Sequence, residues 1–110
     1  MPGDSSVAEV ERLSGPAVDA AIDDLGLNWR RDGDALIKTV TWEDFAEAMH
    51  FVGEVAMLAE AADHHPDIAI HWNRVDLRLW THVAHGITTQ DFDLAGQIDA
   101  LTPAVAEAAE

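Results

Sequence analysis

The chain has 110 residues, 48% hydrophobic and 25% charged; that suits one compact domain burying about two-thirds of its unfolded surface and excludes a disordered polyampholyte. Its 21 acids against 6 bases give a formal net charge of −15, which excludes direct recognition of nucleic acid or of an anionic membrane, since both need Lys and Arg to meet phosphate. The absence of cysteine excludes a disulfide framework, a thiolate zinc site and a cysteine nucleophile.

The N-terminal segment lacks the basic stretch and apolar core of a secretory signal, and no apolar run approaches the ~20 residues of a membrane-spanning helix. A cytoplasmic protein is expected. Residues 1–13 are polar and acidic and should be flexible or partly helical, followed by a folded domain over 14–102 and a short tail over 103–110. Ser14 is placed to cap a first helix, with Pro16 in its first turn. Ala17, Ala20, Ala21, Ile22 and Leu25 give that helix an apolar face, and Gly26 ends it. Asn28 to Arg31 and Ala35 to Val40 read as a hairpin around Asp32-Gly33, with Leu36 and Val40 on one face and Lys38 between them.

Thr41 is expected to start the second helix, with Asp44 as reciprocal cap. Phe45, Met49, Val52, Ala56 and Ala59 form an apolar stripe expected to face the core. That helix should reach Ala62, and Pro66 forbids its continuation. Ile68, Ile70 and Trp72, then Val75, Leu77 and Leu79, alternate with polar residues as two strands joined at Asn73-Arg74. Trp72 is assigned to sheet packing at a pocket edge. Thr88 caps the last helix with Asp91 three residues on, and Phe92, Ala95, Ile98 and Leu101 form its buried face. The order α-β-β-α-β-β-α predicts an α+β fold, a four-stranded antiparallel sheet with three helices packed on one face. The edge strands and the other face then need cover or a partner chain.

Six histidines occur, five of them between His64 and His85. Histidine exchanges protons near neutral pH and also ligates metals, so proton-transfer chemistry and a metal site are both on offer. The pattern does not favour a metal. Adjacent His64 and His65 diverge at a helix exit, and His82-x-x-His85 lacks the glutamate of a zinc-protease motif. His50 and His71 read as surface residues, and His85 has no assigned role. Trp42 and Trp80 could serve the core or a subunit interface.

Glu60, then His64-His65-Pro66, Trp72, His82 and Asp91 follow one another at a spacing that resembles the pterin-4a-carbinolamine dehydratases. Gly26 with Trp29, Phe45, Val52, Ala59, Asn73, Val75, Gly86 and Thr88 extend the resemblance over about residues 13–101. It implies dehydration of 4a-hydroxytetrahydrobiopterin to quinonoid dihydropterin, which recycles the pterin cofactor of aromatic amino acid hydroxylases. It implies catalysis by histidines, without metal or cofactor. His64 and His82 would be the acid–base pair and His65 would orient the pterin, making these three the catalytic set. Glu60 and Asp91 would support the imidazoles, with Trp29 nearby. Asp63, His64, His65, Trp80, Thr81, His82 and Val83 would bind substrate. A homodimer or homotetramer joined at sheet edges is also implied. Trp80, Val83 and His85 depart from residues common in the family and flank the pocket. The rival readings are a catalytically silent pterin-binding or protein-interaction module of the same fold, and a small metal-binding protein.

Overall fold

The computed structural model describes residues 11–101, so the expected flexible segment 1–13 lies largely, and the tail 103–110 wholly, outside the described residues. Helix α1 (Gly15–Leu25) begins at Ser14, which has extended backbone and whose hydroxyl accepts the Ala17 N–H, and it leaves through Gly26 at φ 63°. Strands β1 (Arg30–Asp32) and β2 (Ala35–Thr41) form the hairpin that Gly33 closes at φ 62°. Arg31 of β1 grips Asp19 of α1 through two hydrogen bonds of 3.0 and 3.2 Å, which hold the Asp19 carboxyl below the usual carboxylate range.

Helix α2 (Phe45–Ala62) starts later than the sequence suggests. Thr41 is not its cap: its backbone belongs to the sheet, opposite Arg74. Asp44 caps instead, accepting from Glu47 N–H at 2.9 Å, while the Glu47 carboxylate accepts from Glu43 N–H at 3.0 Å. The buried face of α2 is Ala48, Phe51, Val55 and Ala59. The expected stripe shares only Ala59 with it, and Phe45 and Met49 are 49% and 41% exposed. The helix is apolar on two adjoining faces. The one taken into the core has alanine near each end, which admits close approach, and Phe51 between them.

Strands β3 (Asp67–His71) and β4 (Arg74–Leu79) turn at Trp72-Asn73, one residue earlier than expected. Arg74 is held in the ladder by pairing with both Thr41 and His71. Trp72 therefore occupies the turn at φ 56°, 63% exposed, and does not pack on the sheet. Asn73 fixes the turn by exchanging bonds with Trp42: its carbonyl accepts the Trp42 N–H and its side-chain amide donates to the Trp42 carbonyl, both at 2.8 Å. Trp42 itself is half-buried, its ring 5.1 Å from that of Phe51.

The sheet order is β1-β2-β4-β3, antiparallel throughout. Leu36 lies opposite Leu79 and Val40 opposite Val75, so the alternation places all four on one face. Val18 of α1, Phe51 and Val55 of α2, and Phe92, Leu94 and Ile98 of helix α3 (Thr89–Asp99) close over that face in a single core. Each fully buried side chain of this size contributes about 1.5–3 kcal/mol. Lys38 is also buried there, its ammonium 2.8 Å from Asp99, which accepts in addition from the Trp29 indole at 2.8 Å and the Asn28 N–H at 3.1 Å. Asp99 thus ties the end of α3 to the first hairpin. No helix among the described residues is long and apolar enough to cross a membrane.

Candidate active site

The exit of α2 places the first two histidines. Asp63 takes left-handed backbone (φ 53°), a conformation that aspartate tolerates better than most side chains. Its N–H returns to the Glu60 carbonyl and the His64 N–H to the Ala59 carbonyl, the paired bonds of a Schellman terminus. Pro66 then prevents any further turn. The chain thereby leaves the helix at a fixed angle, with His64 and His65 on the first residues past the bend.

The third histidine comes from the other side of the sheet connection. After β4 the chain makes a single 3₁₀ turn, His82–Ala84. Thr81 and Gly86 close this loop with reciprocal backbone bonds of 2.8 and 3.3 Å. His85 ends the turn at φ 58°, a backbone that glycine adopts more readily.

His64 and His65 each meet a carboxylate, in opposite surroundings. His64 Nε2 lies 2.6 Å from Asp91 Oδ1; the carboxylate is wholly buried and the imidazole nearly so. The other oxygen of Asp91 accepts the Thr88 N–H and the Thr81 hydroxyl, each at 2.9 Å. Thr88 is the N-cap of α3 and Asp91 its reciprocal partner, as expected, so a helix-starting device also anchors a histidine. His65 Nε2 lies 2.7 Å from Glu60 Oε2, both side chains being exposed. His82 is exposed, and its ring nitrogens have no partner among the described residues. Trp80 lies against it, ring centroids 4.1 Å apart and planes at 43°.

These elements enclose a cleft of about 330 Å³, at the small end of the range for ligand sites. All seven residues expected to contact substrate line it: Asp63, His64, His65, Trp80, Thr81, His82 and Val83. Glu60 and Asp91 stand behind two of the histidines and do not form its wall. Trp29 is not brought to the cleft; its indole is committed to Asp99. His85 also stays off the wall, so of the three departures only Trp80 and Val83 shape the cavity. The sequence reading missed Gln90, which completes the lining from the first turn of α3. Its place just before Asp91 was the available signal. A larger depression of about 580 Å³ lies on the open sheet face among Arg30, Asp76 and Arg78. It contains no histidine, and the acid–base groups converge on the smaller cleft. Among the described residues no three His, Asp or Glu side chains converge as a metal site.

A protein of Roseiflexus sp. (strain RS-1), provisionally named a pterin-4-alpha-carbinolamine dehydratase, is 50% identical over 88 residues, which is 80% of this chain and 94% of that one. A Nocardia farcinica protein with the same provisional name is 47% identical over 91 residues, covering 83% and 95%. Among solved structures, a transcriptional coactivator/pterin dehydratase from Brucella melitensis superposes with a TM-score of 0.79 at 30% identity, over 84% of this chain and all of that one. A pterin dehydratase-like protein identified as a RuBisCO assembly factor in the alpha-carboxysome shares the fold, with a TM-score of 0.56 at 21% identity, over 68% and 87% of the two chains. The profile of the family described as pterin 4 alpha carbinolamine dehydratase matches residues 11–101, every element from α1 to α3. By that match over the whole described domain, this chain belongs to the pterin 4 alpha carbinolamine dehydratase family.

Proposed function

We propose that the chain catalyses dehydration of 4a-hydroxytetrahydrobiopterin to quinonoid dihydropterin, a hydro-lyase reaction that recycles the pterin cofactor of aromatic amino acid hydroxylases in the cytoplasm. The observation that carries this reading is the pairing in one cleft of a carboxylate-backed imidazole, His64, with an unpartnered one, His82. The reaction breaks the C4a–O bond and removes the proton on N5. Hydroxide leaves poorly, so an acid must deliver a proton to the 4a-oxygen, and the product is water. Acid–base groups positioned for such a step contribute about 10²–10⁴-fold. Asp91 accepts from His64 Nε2, which leaves the His64 lone pair on Nδ1; His64 is therefore assigned as the base toward N5–H and His82 as the acid toward the 4a-oxygen. His65, held by Glu60, and Asp63 orient the heterocycle, with Trp80 and Val83 as its apolar walls.

The test generates the carbinolamine in situ and follows its loss. Wild type is expected to accelerate dehydration, and His64→Ala and His82→Ala to lose at least about a hundredfold of that acceleration. A wild type without effect would overturn the assignment. It would favour instead a protein-interaction module, a reading supported by exposed Phe45, Met49 and Met57 on α2 and by the likeness to the Brucella melitensis protein described as a transcriptional coactivator.

We further propose a homodimer, able to pair again into a homotetramer, formed through the outer edge of β3. Asp67-Ile68-Ala69-Ile70-His71 is self-complementary when antiparallel: Asp67 meets His71 of a second copy, and Ile68 meets Ile70.

A further inference from the structure

We propose that Thr81 and Thr88 are positioning residues that fix the tautomer of His64 through Asp91, and that the Thr81 hydroxyl has no proton to give to substrate. Only the kinetic part of this inference rests on the dehydratase reading. Each threonine hydroxyl has one proton to give. Thr81 Oγ1 lies 2.9 Å from Asp91 Oδ2 and 2.7 Å from Thr88 Oγ1. An ionised carboxylate can only accept, so the Thr81 proton goes to Asp91. Thr88 must then supply the proton shared by the two hydroxyls. The Thr88 oxygen in turn accepts the Gln90 N–H at 3.2 Å. The donation therefore runs one way, from Thr88 to Thr81 to Asp91.

Asp91 Oδ2 also accepts the Thr88 N–H at 2.9 Å, so that oxygen is fully engaged from the helix side. The carboxylate is held in one orientation, and Oδ1 faces His64 Nε2 at 2.6 Å. A neutral His64 must then carry its proton on Nε2. Thr81, Thr88 and Asp91 are 3%, 0% and 0% exposed, so water cannot substitute for a missing member. Removing the Thr81 hydroxyl takes from Asp91 Oδ2 one of its two donors and strands the Thr88 proton. Thr81 lines the cleft, yet its one proton is already spent inside the wall.

Long-range proton–nitrogen NMR on histidine-labelled full-length protein reads the tautomer directly. Wild type is expected to show neutral His64 as Nε2–H, Thr81→Val a mixture with Nδ1–H, and Thr81→Ser the wild-type state. In the dehydration assay Thr81→Val should lower kcat by about 10–100-fold, the usual cost of losing a supporting hydrogen bond, leave KM unchanged and alter the pH profile; Thr81→Ser should restore all three. A wild-type Nδ1–H tautomer would overturn the proposal, and so would Thr81→Val raising KM at constant kcat, the mark of a substrate contact. If Thr81→Val fails to fold, Thr81→Ala takes its place, with the same mixture expected and an unchanged Nε2–H state overturning the proposal. If wild type has no dehydratase activity, the activity assignment falls alone, and an unchanged tautomer in Thr81→Val would still overturn the network.

Discussion

Asp91 and Glu60 both bond a histidine at about the same length, 2.6 and 2.7 Å, but they are not equivalent residues. Asp91 is sealed among donors: the Thr81 hydroxyl and the Thr88 N–H on one oxygen, His64 on the other. An asparagine there would have to aim its amide protons at one of these donors, or force His64 onto the Nδ1–H tautomer. Asp91→Asn should therefore cost about 1–3 kcal/mol in denaturant unfolding, the penalty for stranded buried groups. Glu60 is 77% exposed on its side chain, and solvent screens its pair with His65. Glu60→Gln should leave the unfolding midpoint unchanged. Equal losses in the two variants would show that burial does not separate these pairs.

Among the elements, the bend after α2 carries both stability and placement. Asp63 holds left-handed backbone that glycine would hold at lower energy, and its side chain lines the cleft. Asp63→Gly should raise the melting temperature while raising KM in the dehydration assay. A gain in both stability and affinity would contradict the proposed substrate role of Asp63. The same elements show what could be read in advance. The capping device Thr88-x-x-Asp91 and the Pro66 stop are local chemistry and stand where the sequence indicated, while the first hairpin turns at Gly33-Asp34, one residue later than the expected Asp32-Gly33. The buried face of α2 was not legible, because the helix offers two adjoining apolar stripes and periodicity does not choose between them. Thr41 misled for a related reason. Its Thr-x-x-Asp spacing is that of a helix start, but pairing with a strand distant in sequence claimed its backbone first. The sequence marks Asp91 as a cap and, through family likeness, as a support for imidazole. That it joins Thr81, Thr88 and His64 in one buried cluster depends on tertiary geometry.

At the scale of the whole molecule, a net charge of −15 opposes self-association. The proposed contact at the β3 edge limits this cost by setting Asp67 against His71 of the second copy at each end, with isoleucines and Ala69 between them. Ile70→Asp should convert the proposed dimer to monomer in sedimentation analysis, and added salt should tighten the wild-type dimer by screening the remaining repulsion. A variant that sediments as wild type would move the interface off this edge.

The contact between Trp80 and His82 has an optical consequence. An indole touching an imidazole loses emission when that imidazole gains a proton, and it changes colour when water beside it is displaced. Of the four tryptophans, Trp80 alone lines the cleft; Trp29 is buried against Asp99, Trp42 lies beside Phe51 and Trp72 faces solvent from its turn. The protein thus carries a fluorophore on the ring assigned to proton delivery. Both the charge of His82 and the arrival of a ligand can be followed in unlabelled protein by light alone.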